Sequence, residues 1–182
     1  MDAFESLIAM LLRHQGYWTA PSFKVELTKE EKRQIGRPSS PRWELDLIAY
    51  KPSANEILAV ECKSYLDSTG VIFRNGKFEP ESSYKLFSEK RIWPVVSKRL
   101  TQQLRDAGSC TGNLTATLCL AIGKMAKKTD RSGLISHFQN NGYLLFGPDW
   151  VIEQLLLASQ RGYENDVAFI VSKLLLRNQQ VP

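Results

Sequence analysis

Two carboxylates and a lysine lie within a short stretch of the chain whose pattern is that of two neighbouring strands. Residues 43–50 read Trp-Glu-Leu-Asp-Leu-Ile-Ala-Tyr, and residues 56–63 read Glu-Ile-Leu-Ala-Val-Glu-Cys-Lys. The five residues between them favour a turn, so the two runs predict a β-hairpin. If these strands pair, Asp46 of the first strand meets Glu61 and Lys63 of the second at one end of the sheet.

The alternation of strand side chains predicts which of these residues share a face. Side chains two residues apart lie on the same face of a strand. Glu44 and Asp46 are therefore expected on one face of the first strand. Leu45 and Leu47 then take the opposite face. Glu44 shares the expected face of Asp46. Glu44, two residues earlier, is therefore the alternative to Asp46 as the acid of the first strand that acts at the site.

This combination of side chains is suited to metal-dependent cleavage of phosphodiesters. Carboxylate oxygens suit a hard cation such as Mg²⁺, and a metal held by Asp46 and Glu61 would polarise a phosphate and activate a bound water. Lys63 would position or deprotonate that water and stabilise the developing negative charge. An isolated acid–lysine pair is more often a solvated ion pair worth under about 1 kcal/mol. Here Glu61 and Lys63 come directly after the aliphatic residues 57–60, and charged residues on a buried strand seldom contribute to stability.

The segment resembles the PD-(D/E)xK nucleases, which share the restriction-endonuclease-like fold, and among them the Mrr-type restriction enzymes and archaeal Holliday junction resolvases. The resemblance rests on residues 44–49 and 57–64, with leucine instead of proline before the aspartate. By element order it extends over about residues 4–146. It implies a Mg²⁺- or Mn²⁺-dependent deoxyribonuclease with DNA as its substrate.

The resemblance also implies a role for each site residue. Asp46 and Glu61 would bind the metal, the backbone carbonyl of Cys62 would add a further ligand, and Lys63 would handle the nucleophilic water. Glu5, on the first predicted helix, matches a glutamate that often completes the family's site. The alternative for Glu5 is an acid in a first helical turn, where the helix dipole favours it.

Basic residues on both sides of the motif are candidates for phosphate contacts. The net charge of +5 is compatible with nucleic-acid binding without requiring it. Residues 85–107 carry six basic and two acidic residues, and residues 124–131 carry four basic residues and one acidic residue. We therefore expect basic walls around an acidic centre. The candidates for nucleic-acid binding are Lys98, Arg99, Gln103, Lys124, Lys127 and Lys128.

The composition narrows the class of protein. Hydrophobic residues make up 43% and charged residues 24% of 182 residues, which excludes general disorder and a bundle of membrane spans. The three cysteines have no CxxC spacing and the chain has two histidines, which argues against zinc and favours a reduced, cytoplasmic protein. We expect a single nuclease-like domain over residues 1–182, with its core at about 1–158.

The remaining pattern predicts an α/β fold, a mixed central sheet flanked by helices, with an inserted β-hairpin at the Asn-Gly turn of residues 71–78. The other expected elements are a helix from about Phe4 that Gly16 ends, a strand over 22–27, a loop over 28–42, a helix over 94–107, buried strands over 114–122 and 143–146, a helix over about 131–140, a helix capped by Asp149 that runs to about 158, and a last helix over about 164–177.

Two readings other than a self-sufficient nuclease stay open. One is a nucleic-acid-binding or scaffold module that keeps the fold without turnover. The other is a nuclease subunit whose partner supplies specificity or translocation. A homodimer is also left open, and no membrane partner is expected.

Overall fold

The central sheet takes its strands from both halves of the chain. The computed structural model describes residues 2–39, 42–112 and 114–177. The elements are α1 (Ala3–His14), β1 (Trp18–Val25), α2 (Lys29–Gln34), β2 (Trp43–Lys51), β3 (Glu56–Lys63), β4 (Ile72–Arg74), β5 (Lys77–Glu79), a 3₁₀ turn (Glu81–Ser83), α3 (Lys85–Ser88), α4 (Ile92–Asp106), β6 (Thr115–Ile122), α5 (Arg131–Asn141), β7 (Leu144–Phe146), α6 (Pro148–Ser159) and α7 (Val167–Arg177).

Five strands form a mixed sheet in the order β1-β2-β3-β6-β7. The first three strands are antiparallel neighbours, and β6 and β7 run parallel to β3. A parallel return requires a crossover, which α4 supplies between β3 and β6 and α5 supplies between β6 and β7. The predicted α/β class with a mixed sheet flanked by helices is confirmed.

Each face of the sheet packs against its own set of helices. On one face, which we call the α4 side, β-strand residues pack with Ile92, Val96 and Leu100 of α4 and with Phe138 of α5. On the other face, the α1 side, strand residues pack with α1, α6 and Phe169 of α7. β3 lies between these layers, and its residues from Ile57 to Val60 are fully buried. Their continuous apolar sequence follows from burial on both faces.

The first helix begins where the sequence supplies a reciprocal cap. The side chain of Asp2 accepts the backbone N–H of Glu5 at 2.8 Å, and the Glu5 carboxylate accepts the N–H of Asp2 at 3.0 Å. This capping box satisfies donors that an uncapped helix leaves unpaired. Its apolar residues, among them Phe4, Ile8 and Leu12, pack on the sheet.

The inserted hairpin predicted at residues 71–78 is confirmed as the two-stranded sheet of β4 and β5. Asn75 and Gly76 both have positive φ, as this two-residue turn requires. The rings of Phe73 and Phe78 pack edge to face and anchor the hairpin in the core on the α4 side.

Two expectations in the first half of the chain are wrong. β1 begins at Trp18, four residues earlier than expected, because its pairing with β2 extends to the far end of that strand. The loop expected over 28–42 contains α2. That short helix begins with a second capping box, in which Thr28 and Glu31 form reciprocal hydrogen bonds. The charged composition of the segment favoured a loop, although the capping pair favours a helix.

The second half of the chain also departs from expectation. α4 begins at Ile92 rather than at Pro94, and α3 was not expected. Gly147, not Asp149, precedes the first turn of α6, where Pro148 occupies a helical position and Asp149 lies in the first turn. The strand expected to be buried at 143–146 is the edge strand β7, and Leu144 is exposed. No helix in the described ranges is long and apolar enough to span a membrane.

Candidate active site

The candidate site lies where β2 and β3 separate. Their ladder of paired residues ends at Leu47 and Val60, so Asp46 and Glu61 are the first residues beyond it. The backbone N–H of Cys62 donates a hydrogen bond of 2.8 Å to Oδ2 of Asp46. A side-chain carboxylate thus replaces the backbone acceptor that β2 no longer offers, and the two strands stay joined through the Asp46 side chain.

A local distortion of β1 and β2 sets the position of Asp46. The two strands pair on both sides of Ser22 and Asp46 but not at these residues, and Ser22 has a φ of +48°. Leu45 packs on the α4 side and Leu47 on the α1 side. The predicted sharing of one face by Leu45 and Leu47 is therefore wrong, because alternation is interrupted at Asp46. Register is the same before and after the break, so no residue is added.

Lys63 lies between the two acids. Its Nζ is 3.9 Å from Oδ2 of Asp46 and 4.0 Å from Oε2 of Glu61. The side chains of Lys63, Asp46 and Glu61 are 20, 27 and 18% exposed, so solvent screens their charges only partly. The structure brings together the three side chains that the sequence predicted to meet.

Glu61 carries the most unusual electrostatics of the group. The pKa of its carboxyl is raised to about 8, mainly by desolvation and also by the negative charges of Asp46 and Glu5, while the positive charge of Lys63 opposes this rise. Among the described residues, Glu61 Oε1 is a buried oxygen with no hydrogen-bond partner. A buried, unpaired carboxylate oxygen is costly unless a proton or a cation balances it.

The Cys62 backbone faces the gap between the strands. Its N–H is directed toward Asp46, and the N–H and C=O of one strand residue point to the same side. The Cys62 carbonyl is therefore directed toward the side where β2 has left the ladder. The Cys62 thiol is buried on the α1 side, and desolvation raises its pKa, so the side chain serves packing.

Glu5 lies within electrostatic reach of this group. Its charge contributes to the raised pKa of both Glu61 and Cys62. One of its oxygens also accepts the N–H of Asp2 in the cap of α1. The alternative for Glu5, an acid in the first helical turn, is therefore observed, and its role as a third acid of the site stays a prediction.

A cleft of about 130 Å³ opens beside Glu61 and reveals residues that the motif did not indicate. Glu44 lines it as well, so this acid faces the same space as Glu61. The opposite wall comes from the 3₁₀ turn and α3. The residues of this wall that line the cleft are Ser82, Ser83, Tyr84, Lys85, Leu86 and Phe87.

Lys85 is the cation of this wall. It is half-buried, and no hydrogen bond or ion pair of its side chain occurs within the described ranges. The sequence placed Lys85 in the basic block 85–107 but gave no reason to single it out. Its approach to Glu61 depends on the fold of residues 80–88, which no local motif specifies.

Three of the six nucleic-acid-binding candidates have side chains that bond to other groups of the protein. The Arg99 guanidinium holds both carboxylate oxygens of Glu31, with contacts of 2.8 to 3.0 Å. The Gln103 amide bonds to the backbone at Lys24 and Glu26. The Lys124 ammonium donates to the carbonyls of Leu66 and Ser68, which fixes the loop after β3.

The other three candidates, Lys98, Lys127 and Lys128, are exposed. Lys127 and Lys128 follow β6, whose last residue, Ile122, pairs with Lys63. The block 124–131 is therefore at the same edge of the sheet as the end of the motif. In the block 85–107, internal carboxylates hold Arg91 and Arg99. Binding of nucleic acid by either block stays a prediction.

Comparison of the chain with models of protein families, with curated proteins and with solved structures found no match. In the described ranges, no three residues among histidine, cysteine, aspartate and glutamate are arranged as a ready-made metal cage. The two carboxylates and one carbonyl at the end of β3 would have to share a cation with water, which is how Mg²⁺ is commonly held.

Proposed function

We propose that the protein is a Mg²⁺- or Mn²⁺-dependent nuclease that hydrolyses phosphodiester bonds of DNA, and that its sheet is of the restriction-endonuclease-like type. The strand order supports the second part. Three antiparallel strands are followed by β6 and β7, which run parallel to β3, and the acidic motif of β2 and β3 lies at the carboxyl end of these parallel strands.

The observation that carries the proposal is the meeting of Asp46, Glu61 and Lys63 at one point of the sheet. Two carboxylates flank one ammonium at 3.9 and 4.0 Å. A cluster with a purely structural role would be expected to satisfy its buried atoms, whereas Glu61 Oε1 has no partner among the described residues. The distortion at Ser22 and Asp46 is a further departure from regular structure, of the kind that recurs at functional sites.

The donor set fits a hard divalent cation. Asp46, Glu61 and the carbonyl of Cys62 would hold it, since all three donors are oxygens and the buried Oε1 of Glu61 has no partner among the described residues. When bound, the cation would supply Lewis-acid polarisation of the phosphate and a lowered pKa for a bound water. Glu61 would lose its proton on binding, because its raised pKa keeps much of it protonated near neutral pH in the metal-free protein.

The remaining steps fall to side chains of the chain itself. Lys63 would hold the attacking water and stabilise negative charge on the phosphate as the new P–O bond forms and the bond to the leaving oxygen breaks. Lys85, across the cleft from Glu61, would pair with a phosphate of the substrate. The exposed Lys127 and Lys128 would contact the backbone further along the DNA.

The proposal is tested by incubating plasmid and linear DNA with the protein in Mg²⁺, in Mn²⁺ and in chelator. We expect divalent-dependent cleavage that falls by at least about 100-fold in Asp46→Asn and in Lys63→Met, consistent with the size of single electrostatic contributions to catalysis. Glu153→Gln, an exposed carboxylate on α6, is the matched control and should cleave normally. Undiminished cleavage by folded Lys63→Met would overturn the assignment.

A binding module without turnover is the second candidate, and one observation favours it. Asp46 already accepts the Cys62 N–H, and Lys63 partly neutralises both acids, so the cluster is tolerated without a metal. Calorimetric titration with Mn²⁺ separates the two candidates. Binding that Asp46→Ala abolishes supports the nuclease, whereas DNA binding with no uptake of metal supports the module.

A further inference from the structure

The two C-terminal helices leave a large apolar surface uncovered. α7 reads Val-Ala-Phe-Ile-Val-Ser-Lys-Leu-Leu-Leu-Arg and is apolar almost all round. A helix of this kind is normally buried on every side. Phe169 and Ser172 are buried against the rest of the protein, whereas no described residue covers the opposite side of α7. The uncovered residues are Val167, Ile170, Val171, Leu174 and Leu175.

α6 adds to this surface. It packs against α7, which follows it in the chain, and leaves Ile152, Leu156 and Leu157 exposed. We call these eight residues of the two helices the α6–α7 surface. Their exposed fractions lie between 41 and 76%. Apolar patches on monomers rarely exceed about 300–600 Å², and larger ones mark interfaces.

The area of the α6–α7 surface matches what one partner contributes to a stable dimer. Eight aliphatic side chains exposed to this extent present on the order of 800 Å², and a standard-size interface takes about 800 Å² from each partner. A two-helix hairpin can cover the same hairpin of a second copy across a two-fold axis, which forms a four-helix arrangement and buries both patches at once.

The charge of this region also fits a second copy. Residues 148–177 carry four acidic and three basic residues, a net of −1, whereas the rest of the chain carries 21 basic and 15 acidic residues, a net of +6. Two such hairpins do not repel one another, and a nearly neutral surface has little attraction for a polyanion or an anionic membrane. From area, helix geometry and charge, we propose that the protein forms a homodimer through the α6–α7 surface.

Self-association of this kind does not depend on nuclease activity and can be measured directly. Sedimentation velocity of the full chain from about 1 to 100 µM should give a species of twice the 20.7 kDa chain mass at the upper end, with dissociation on dilution. Leu174→Glu and Val171→Glu should each shift the protein to monomer at all these concentrations. Ile135→Glu on α5 changes an equally exposed residue outside the surface and should leave the dimer intact.

Two outcomes would overturn the proposal. One is a wild-type chain that stays monomeric at the highest concentration. The other is a dimer that persists in both charged variants, which would locate the contact elsewhere. If a variant fails to fold by circular dichroism, hydrogen exchange of the wild type decides instead: amides of α7 should exchange more slowly at the high concentration than at the low one, and equal rates contradict the interface.

Discussion

Lys63 is held by two acids that lie on different strands. Asp46 and Glu61 come within 4.0 Å of its ammonium group although 15 residues separate them in the chain. Neither acid is fully neutralised, since Glu61 keeps a buried oxygen without a partner among the described residues. At the scale of single residues, the cluster carries a net charge of −1 when both acids are ionised, which favours binding of a cation or, without one, of a proton by Glu61.

Glu61 should make the metal-free protein less stable as the pH rises. Its folded pKa is raised to about 8 from an ordinary value of 4.5, so the folded state binds the proton more tightly. The stabilising contribution is complete below about pH 4.5 and is lost as the pH rises through 8, on the order of 5 kcal/mol at most.

Glu61→Gln should remove this pH dependence. Urea unfolding in chelator from pH 5 to 8.5 would show the free energy of unfolding of the wild type falling relative to that of the variant. Glu44→Gln, which removes an exposed carboxylate from the same cleft, is the control and should keep the wild-type slope. Parallel curves for wild type and Glu61→Gln would contradict the assigned shift.

Lys85 should affect substrate binding more than turnover. It lines the cleft beside Glu61 without a partner in the described ranges, so its substitution breaks no internal contact. For Lys85→Gln we expect KM for DNA to rise by about tenfold, the effect of one charged hydrogen bond, with kcat nearly unchanged.

The matched control for Lys85 is Lys90→Gln, an exposed lysine that lines a different cavity near His137. Steady-state cleavage rates measured against DNA concentration compare the two variants. Equal KM values for Lys85→Gln and Lys90→Gln would show that the cleft wall does not contact the substrate.

At the scale of elements, the site depends on close backbone packing where β3 and β6 end. Gly123 follows β6, and its N–H bonds to the Lys63 carbonyl at 3.0 Å. A Cβ at Gly123 would lie 2.5 Å from the carbonyl oxygen of Ser64. The loop that follows Lys63 therefore lies directly on the start of the basic segment after β6, and glycine is needed for lack of space.

Gly123→Ala should destabilise the protein by about 1–3 kcal/mol, because backbone atoms on both sides must shift. Gly162→Ala is the control, since nothing lies within 4 Å of a Cβ there. Urea denaturation of both variants measures the difference. A Gly123→Ala protein as stable as the Gly162→Ala protein would show that the loop moves freely.

At the scale of the whole molecule, charge is distributed unevenly. The block 124–131 lies at the edge where Lys63 ends β3, whereas the nearly neutral α6–α7 hairpin packs on the α1 side of the sheet. Internal ion pairs hold part of the block 85–107, notably Arg99 with Glu31. The basic surface expected around the site is therefore strongest on the β6 side.

Replacing Lys127 and Lys128 together by glutamine should weaken DNA binding and lower its salt dependence. Each lost phosphate contact reduces the slope of log K against log salt by about 0.9, so the pair should reduce it by about 2. Fluorescence anisotropy with labelled duplex in Ca²⁺ at several salt concentrations gives the slope. Arg13→Gln with Lys51→Gln, at the C-terminal ends of α1 and β2, should leave the slope unchanged.

The sequence by itself determined the order of most elements and the three residues at the site. Two strand-forming runs and the turn between them, after residue 50, specify that β2 and β3 pair, and pairing brings Asp46 toward Glu61 and Lys63. These features depend on contacts between neighbours along the chain, which local pattern records. The capping box of α2 is an equally local feature, and α2 was missed only because its charged sequence favoured a loop.

The tertiary structure alone decided the direction of Asp46, the approach of Lys85 and the exposure of α7. The interruption at Ser22 and Asp46 involves two paired strands, so no single strand encodes it. Lys85 reaches the cleft only because residues 80–88 fold over β3. An apolar helix sequence predicts burial, and only packing shows that one side of α7 is left for a second surface to cover.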